Sequence, residues 1–252
     1  MTLGDTLPLV KPFLLLATRS EDVAADSEYA SILELAGLEE HELRRIRLEA
    51  EPLPDLDLDD YSGIIVGGSP FTSSIPDSHK SDTQRRVEAE LSGLLDVLRE
   101  RDFPFFGACY GVGTLARHIG GVIDGTYAEP IGAPVITLTE EGLADPVLAG
   151  LPRSFQAYVG HKEACTYLPE SAVLLATSEA CPVQMFRVRT NLYGTQFHPE
   201  LTLETLLERM EIYRHAGYAD PSEFDQIRRE VSAADVSHVG KILANFVQRY
   251  AR

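Results

Sequence analysis

Along the first half of the chain, short apolar runs alternate with longer stretches of helical period. Residues 13–17 (FLLLA) are apolar throughout, as a strand covered on both faces must be. Across residues 27–38, Tyr29, Ile32, Leu33, Leu35 and Ala36 recur at helical spacing, and Gly37 stands where such a helix would be capped. Residues 44–48 place Ile46 and Leu48 between charges, the alternation of a half-exposed strand. Residues 61–66 (YSGIIV) form another apolar run, closed by Gly67 and Gly68. Residues 79–99 predict a long amphipathic helix with Val87, Leu91, Leu94, Leu95 and Leu98 on one side. Residues 103–106 and the stretch after Cys109 repeat the order of strand, then helix. Such alternation predicts an α/β fold: a mainly parallel central sheet with helices on both faces.

The second half has a different rhythm. Residues 134–138, 155–159, 173–176, 183–188 and 192–197 are short apolar runs set close together. They predict antiparallel strands that extend the sheet or form a small ribbon. Helical patterns return at 203–214 and 236–250. No shift in composition marks a linker, so residues 1–252 read as one domain with a helical insertion at about 201–235.

Composition narrows the partners. The chain is 44% hydrophobic and 24% charged, an ordinary globular balance, and its formal net charge is −17. A surface that acidic repels phosphate backbones and anionic lipid, so neither nucleic acid nor a membrane is expected as a partner. The run at 13–17 is too short to span a bilayer, and no basic stretch precedes it as in a leader peptide. The cysteines Cys109, Cys165 and Cys181 form neither a C-x-x-C pair nor a disulfide framework, which fits a reducing, cytoplasmic setting. No His/Asp/Glu group has metal-ligand spacing, and no phosphate-binding loop is present, so no metal or cofactor is expected.

Candidate chemistry begins at Cys109, in GACYG, directly after a predicted parallel strand. Glycines two residues to either side allow two backbone segments to approach closely, as in the Gly-x-Ser-x-Gly elbow of hydrolases. The helix that follows aims its N-terminus at the sulfur and favours an anion there. Taken alone, the same pattern also fits a small buried apolar cysteine. A base is available in NLYGTQFHPEL, where an alternating strand ends in His198, Pro199 and Glu200. In extended chain Glu200 would share a side with His198 and orient it, leaving the other ring nitrogen for the thiol. A third element is the glycine-rich turn of GIIVGGSPFTSS. Backbone N–H groups of Gly68 or Ser69, with that of Tyr110, are candidates to hold an oxyanion. His161 and Glu163, in GHKE, either line the mouth of such a site or cap a strand end. Cys165 and Cys181 lie among apolar residues and read as packing groups.

Together GACYG, QFHPE, YVGHKEACTYLP and LLATSEACPVQMFRV make the chain resemble the class I (triad) glutamine amidotransferases. The amidotransferase domain of GMP synthetase and its stand-alone relatives are the group it looks most like. The resemblance implies a flavodoxin-like fold, with Cys109 as nucleophile, His198 as general base and acid, and Glu200 as its partner. It also implies a γ-glutamyl amide, glutamine above all, as substrate, and a separate synthetase as receiver of ammonia. The segment after Glu200 is either a docking or lid element or a solvated helical insertion. One position departs from the pattern. Family members read Gly-x-Cys-x-Gly-x-Gln, whereas this chain has Gly113 in place of the glutamine that lies in the substrate pocket. That departure keeps open hydrolysis of a larger γ-glutamyl peptide. Loss of catalysis, leaving a binding or regulatory module, is the alternative of another class.

Overall fold

The computed structural model describes residues 10–216 and 221–252. The leader reading of residues 1–9, and residues 217–220 of the insertion, lie outside the described residues. The first half is built as β1 (Phe13–Ala17), α1 (Asp22–Ala36), β2 (Leu43–Arg47), β3 (Gly63–Val66), α2 (Asp82–Arg101), β4 (Phe105–Ala108) and α3 (Tyr110–His118). Then come β5 (Val122–Asp124), β6 (Glu129–Gly132), β7 (Val135–Leu138), α4 (Glu140–Ala144), β8 (Ser154–Gln156) and β9 (Val159–His161). β10 (Ala164–Tyr167), β11 (Ala172–Thr177), β12 (Met185–Val188) and β13 (Leu192–Thr195) follow, and α5 (Leu203–Ile212), α6 (Phe224–Ala233) and α7 (Lys241–Tyr250) close the chain.

Nine strands form one sheet in the order β2-β1-β3-β4-β13-β12-β11-β7-β8. The first five run parallel and the remainder antiparallel. The parallel part has the strand order of a flavodoxin-like, doubly wound sheet. The short runs expected as antiparallel strands mainly extend the sheet, and the ribbons come mostly from segments outside those runs. Four extend the sheet, and β5–β10 and β6–β9 form separate antiparallel ribbons.

Alternate side chains of β1 feed two cores. Phe13 and Leu15 pack toward Phe106, Tyr193 and Phe246, while Leu14 and Leu16 pack toward Val87, Leu91 and Tyr110. This two-sided burial is why the strand carries no polar position. α1 ends as its sequence predicts, with Gly37 at φ 69° and its N–H on the carbonyls of the last turn. The helix begins earlier than its large apolar residues, because Ala24, Ala25 and Glu28 are also buried. Residues 155–159 do not make one strand. β8 joins the sheet edge, the chain crosses at buried Ala157 and Tyr158, and β9 pairs with β6 instead. The segment after Glu200 packs into a third apolar cluster. Leu206, Met210, Phe224, Ile227 and Val231 pack around Tyr158 and Leu201, and the Tyr158 hydroxyl donates to the Val231 carbonyl at 3.1 Å. Among the described residues no helix is long and apolar enough to cross a membrane.

Candidate active site

Sheet register brings the site together. β13 lies parallel to β4 with Thr195 opposite Ala108, and the Cys109 N–H donates to the Thr195 carbonyl at 2.7 Å. Cys109 therefore leaves the sheet beside Gln196, and His198 follows two residues later. Both sit beyond the carboxyl ends of parallel strands, where doubly wound sheets hold ligands.

Cys109 occupies an unusual backbone conformation, φ 52° and ψ −91°, between the end of β4 and the first turn of α3. A non-glycine residue there carries strain of about 1–3 kcal/mol, sustained only because the surroundings fix it. Its glycine neighbours explain how. A β-carbon on Gly107 would lie 2.6 Å from the Gly111 carbonyl carbon, and one on Gly111 would lie 3.0 Å from the Val66 carbonyl oxygen. β3, β4 and α3 thus interlock through bare backbone, and the half-exposed sulfur is held at the tip of the elbow.

His198 and Glu200 meet through a turn rather than through extended chain. The Leu201 N–H closes back on the His198 carbonyl at 3.4 Å, and the His198 N–H donates to the Tyr158 carbonyl at 2.9 Å. The side chains pair as expected, Nδ1 to Oε1 at 2.7 Å, and both residues are buried. The i, i+2 argument for extended chain thus reached the right pair by the wrong backbone path, because Pro199 begins a turn there. With Nδ1 engaged by Glu200, Nε2 is the ring nitrogen left for the Cys109 side, and both residues line the larger cavity. Burial alone would lower the imidazole pKa. The Glu200 carboxylate, and after it the neighbouring Cys109, outweigh burial and lift His198 to about 9. Glu200 would rise through burial, but the His198 and Arg209 cations hold it well below the usual carboxylate range.

Two small cavities, of about 30 and about 40 Å³, meet at Cys109 and Ser69. The smaller is lined by Phe71, Tyr110, Gly113, His161 and Glu163, and the larger by Ile131, His198, Leu206, Arg209 and Met210. Gly68 lies against the His198 ring, for a β-carbon there would come within 3.0 Å of His198 Cε1. Tyr110 opens α3, so its N–H belongs to the helical turn that has no intrahelical acceptor. Of the candidate oxyanion donors, Ser69 and Tyr110 share the smaller cavity with Cys109, and Gly68 lies on the His198 side. Gly113 leaves its side of the smaller cavity unfilled: a β-carbon would meet only Ser73 Oγ at 3.7 Å and Ile123 Cγ2 at 4.0 Å.

Glu163 lines this cavity but spends its carboxylate on the glycine-rich loop. It accepts from the Ser73 N–H (2.7 Å), the Ser73 hydroxyl (2.8 Å) and the Ser74 N–H (2.7 Å). His161 is buried, with Nε2 2.9 Å from Glu129 Oε2 and Nδ1 3.1 Å from the Glu163 carbonyl. Cys181 Sγ lies near the His161–Glu129 pair, and the three ligand atoms fall within 4.8 Å of one another, a grouping invisible to local spacing. Gln184 also donates to Glu129 Oε2 at 2.8 Å, and burial pushes the Cys181 thiol up to about 12. A hydrogen-bonded knot with a protonated thiol accounts for these atoms. Burial likewise raises Cys165 to about 11, in keeping with a packing role.

Sequence patterns missed a buried group of charges beneath the site. Arg19 Nε donates to Glu28 Oε1 at 3.0 Å, and Arg209 reaches Glu200 Oε1 (3.3 Å) and Glu28 Oε1 (3.8 Å). A β-carbon on Gly67 would lie 2.5 Å from Glu28 Oε2, so the glycine turn rests on this cluster. One signal was available: Arg209 falls among Leu206, Leu207 and Met210 on the apolar side of its helix.

Comparison with known proteins places this α/β fold among the glutamine amidotransferases. The family model described as glutamine amidotransferase class-I matches residues 30–212. The chain belongs to the class I glutamine amidotransferase family. It is 30% identical over 165 residues to a glutamine-hydrolyzing GMP synthase subunit of Thermoplasma volcanium, covering 63% of this chain and 74% of that one. It is 37% identical over 103 residues to the glutamine-hydrolyzing GMP synthase of Bacillus cereus (strain G9842), covering 40% of this chain but 20% of that longer protein. Among solved structures, a glutamine amidotransferase (tm1158) from Thermotoga maritima has the same fold, with a TM-score of 0.73 at 19% identity, covering 95% of this chain and 98% of that one.

Proposed function

We propose that the chain hydrolyses the γ-carboxamide of glutamine through a thioester on Cys109. The Cys109 thiolate adds to the amide carbon, and the oxyanion rests on the N–H groups of Tyr110 and of Gly68 or Ser69. The intermediate collapses, His198 gives a proton to the leaving nitrogen, and ammonia departs. Water then adds to the thioester, its proton passes to His198, the C–S bond breaks, and glutamate leaves. Glu200 orients the His198 ring throughout and stabilises it whenever it is protonated. The observation that carries this reading is the His198–Glu200 pair at 2.7 Å on one cavity with a strained elbow cysteine. Glutamate and ammonia released by wild type, and lost in Cys109→Ala, are the test. A mutant with wild-type turnover refutes the scheme.

The likeness to a protein named as one part of a multi-chain GMP synthase supports a separate synthetase as the ammonia acceptor. Gly113 supports a second reading for the substrate, a γ-glutamyl peptide whose leaving group is an amine. Its open place in the smaller cavity removes an amide that would grip free glutamine. Comparing kcat/KM for glutamine and for γ-glutamyl dipeptides separates the two. An inactive binding module predicts turnover of neither.

A further inference from the structure

Four ionisable side chains lie beneath the triad with almost no solvent contact: Arg19, Glu28, Arg209 and Glu200 are 4%, 0%, 11% and 2% exposed. Charges buried this deeply give little net stability, since desolvation offsets their attraction and apolar replacements of the same shape often do as well. Their arrangement is specific. Glu200 Oε1 accepts from His198 Nδ1 at 2.7 Å and from Arg209 Nη1 at 3.3 Å. Glu200 Oε2 is buried and has no hydrogen-bond partner among the described residues. The two donors on one oxygen therefore fix which oxygen faces the ring. Arg209 comes from α5, and its other amino group reaches Glu28 of α1. It also lines the cavity that holds Cys109 and His198.

We propose that Arg209 is a positioning residue of the triad, holding the Glu200 carboxylate in register with His198 and making the helical segment after Glu200 part of the catalytic apparatus. The proposal rests on the Cys109–His198–Glu200 reading. It gives α5 a role beyond cover: if the helix shifts, Glu200 keeps only His198, and its two oxygens become free to exchange. The charge has a second consequence. The groups facing the imidazole are Glu200 and Cys109, which favour its protonated form. Arg19 crowds the same edge of Gly68 as the ring and is paired with Glu28 and Tyr213, and Arg209 stands behind Glu200. Removing the Arg209 cation relieves a like-charge repulsion and leaves the whole carboxylate charge to His198. The ring then holds its proton more tightly, although the geometry is looser.

The test follows the His198 ring nitrogens by NMR titration, alongside kcat and KM for glutamine, in wild type, Arg209→Met, Arg209→Gln and Arg209→Lys. Arg228→Met, which removes an exposed partner of Glu211, is the control for the segment. In Arg209→Met and Arg209→Gln the His198 midpoint should rise by about half a pH unit or more. Their kcat should fall roughly tenfold to a hundredfold with KM little changed. Arg209→Lys should restore the midpoint and part of kcat, and Arg228→Met should match wild type. If Arg209→Met does not fold, Arg209→Gln, which keeps donors at that site, carries the comparison. An unmoved midpoint in the charge-removing variants overturns the proposal, whether activity is kept or is lost along with thermal stability. The titration needs no substrate. A wild type that fails to turn over glutamine counts against the proposed function, while the midpoints still decide the role of Arg209.

Discussion

Glu200→Gln isolates the charge of the proposed triad's third member, because the amide keeps the shape and an acceptor oxygen. In the folded protein burial pushes the His198 pKa down, and Glu200 followed by Cys109 brings it up to about 9. Between the ordinary value near 6.5 and that level lie about 3 kcal/mol of preference for the protonated ring. The sign follows from linkage. A histidine with a raised pKa contributes stability that is complete below about pH 6.5 and is lost as the pH climbs through about 9. Removing the Glu200 charge takes away the largest favourable contribution and leaves the burial. The ring should then titrate well below its wild-type midpoint, and the loss of stability across that pH window should shrink by a large part of the 3 kcal/mol. The depressed pKa of Glu200 describes the same ion pair from its other end and adds no second increment. Urea denaturation between about pH 6 and pH 10, with the His198 titration followed by NMR, measures both quantities. A wild-type ring titrating near 6.5, or equal slopes of stability against pH in the two proteins, would refute the reasoning.

Other substitutions test the elbow and the pockets. Cys109→Gly should be more stable than Cys109→Ala by about 1 kcal/mol, since only glycine is at ease at φ 52°, and both should be inactive; thermal and urea unfolding give the comparison. Gly107→Ala should cost about 2–3 kcal/mol or prevent folding, because its methyl group would stand 2.6 Å from the Gly111 backbone; the urea midpoint reads it directly. Gly113→Gln should raise kcat/KM for glutamine relative to γ-glutamyl dipeptides, because the position has room for a side chain facing the smaller cavity.

Local pattern was a good guide wherever one residue type has one physical use. The all-apolar run of β1 announced a strand buried on both faces, Gly37 announced a helix end, and GACYG announced an elbow whose glycines touch backbone. Pattern was weaker where tertiary pairing decides. Residues 155–159 look like one strand, yet the chain changes sheets at Tyr158, whose neighbours come from the distant residues Leu201 and Val231. The path from His198 to Glu200 was read as extended although Pro199 begins a turn. Arg19, Glu28 and Arg209 belong to three separate segments and look like ordinary helix and loop charges. Their pairing exists only once α1 and α5 meet beneath the glycine turn. His161 and Glu163 line the smaller cavity, but their polar atoms are committed to Glu129 and to the Ser73–Ser74 backbone, which the motif GHKE does not reveal.

Mass spectrometry of the protein after exposure to a γ-glutamyl electrophile tests the nucleophile most directly. The account predicts one γ-glutamyl adduct, mapped to Cys109, formed at neutral pH and greatly slowed in His198→Ala. Cys165 and Cys181 should stay unmodified, because burial keeps their thiols protonated at that pH. An adduct on either buried cysteine with none on Cys109, or no adduct at all on the folded protein, would contradict it.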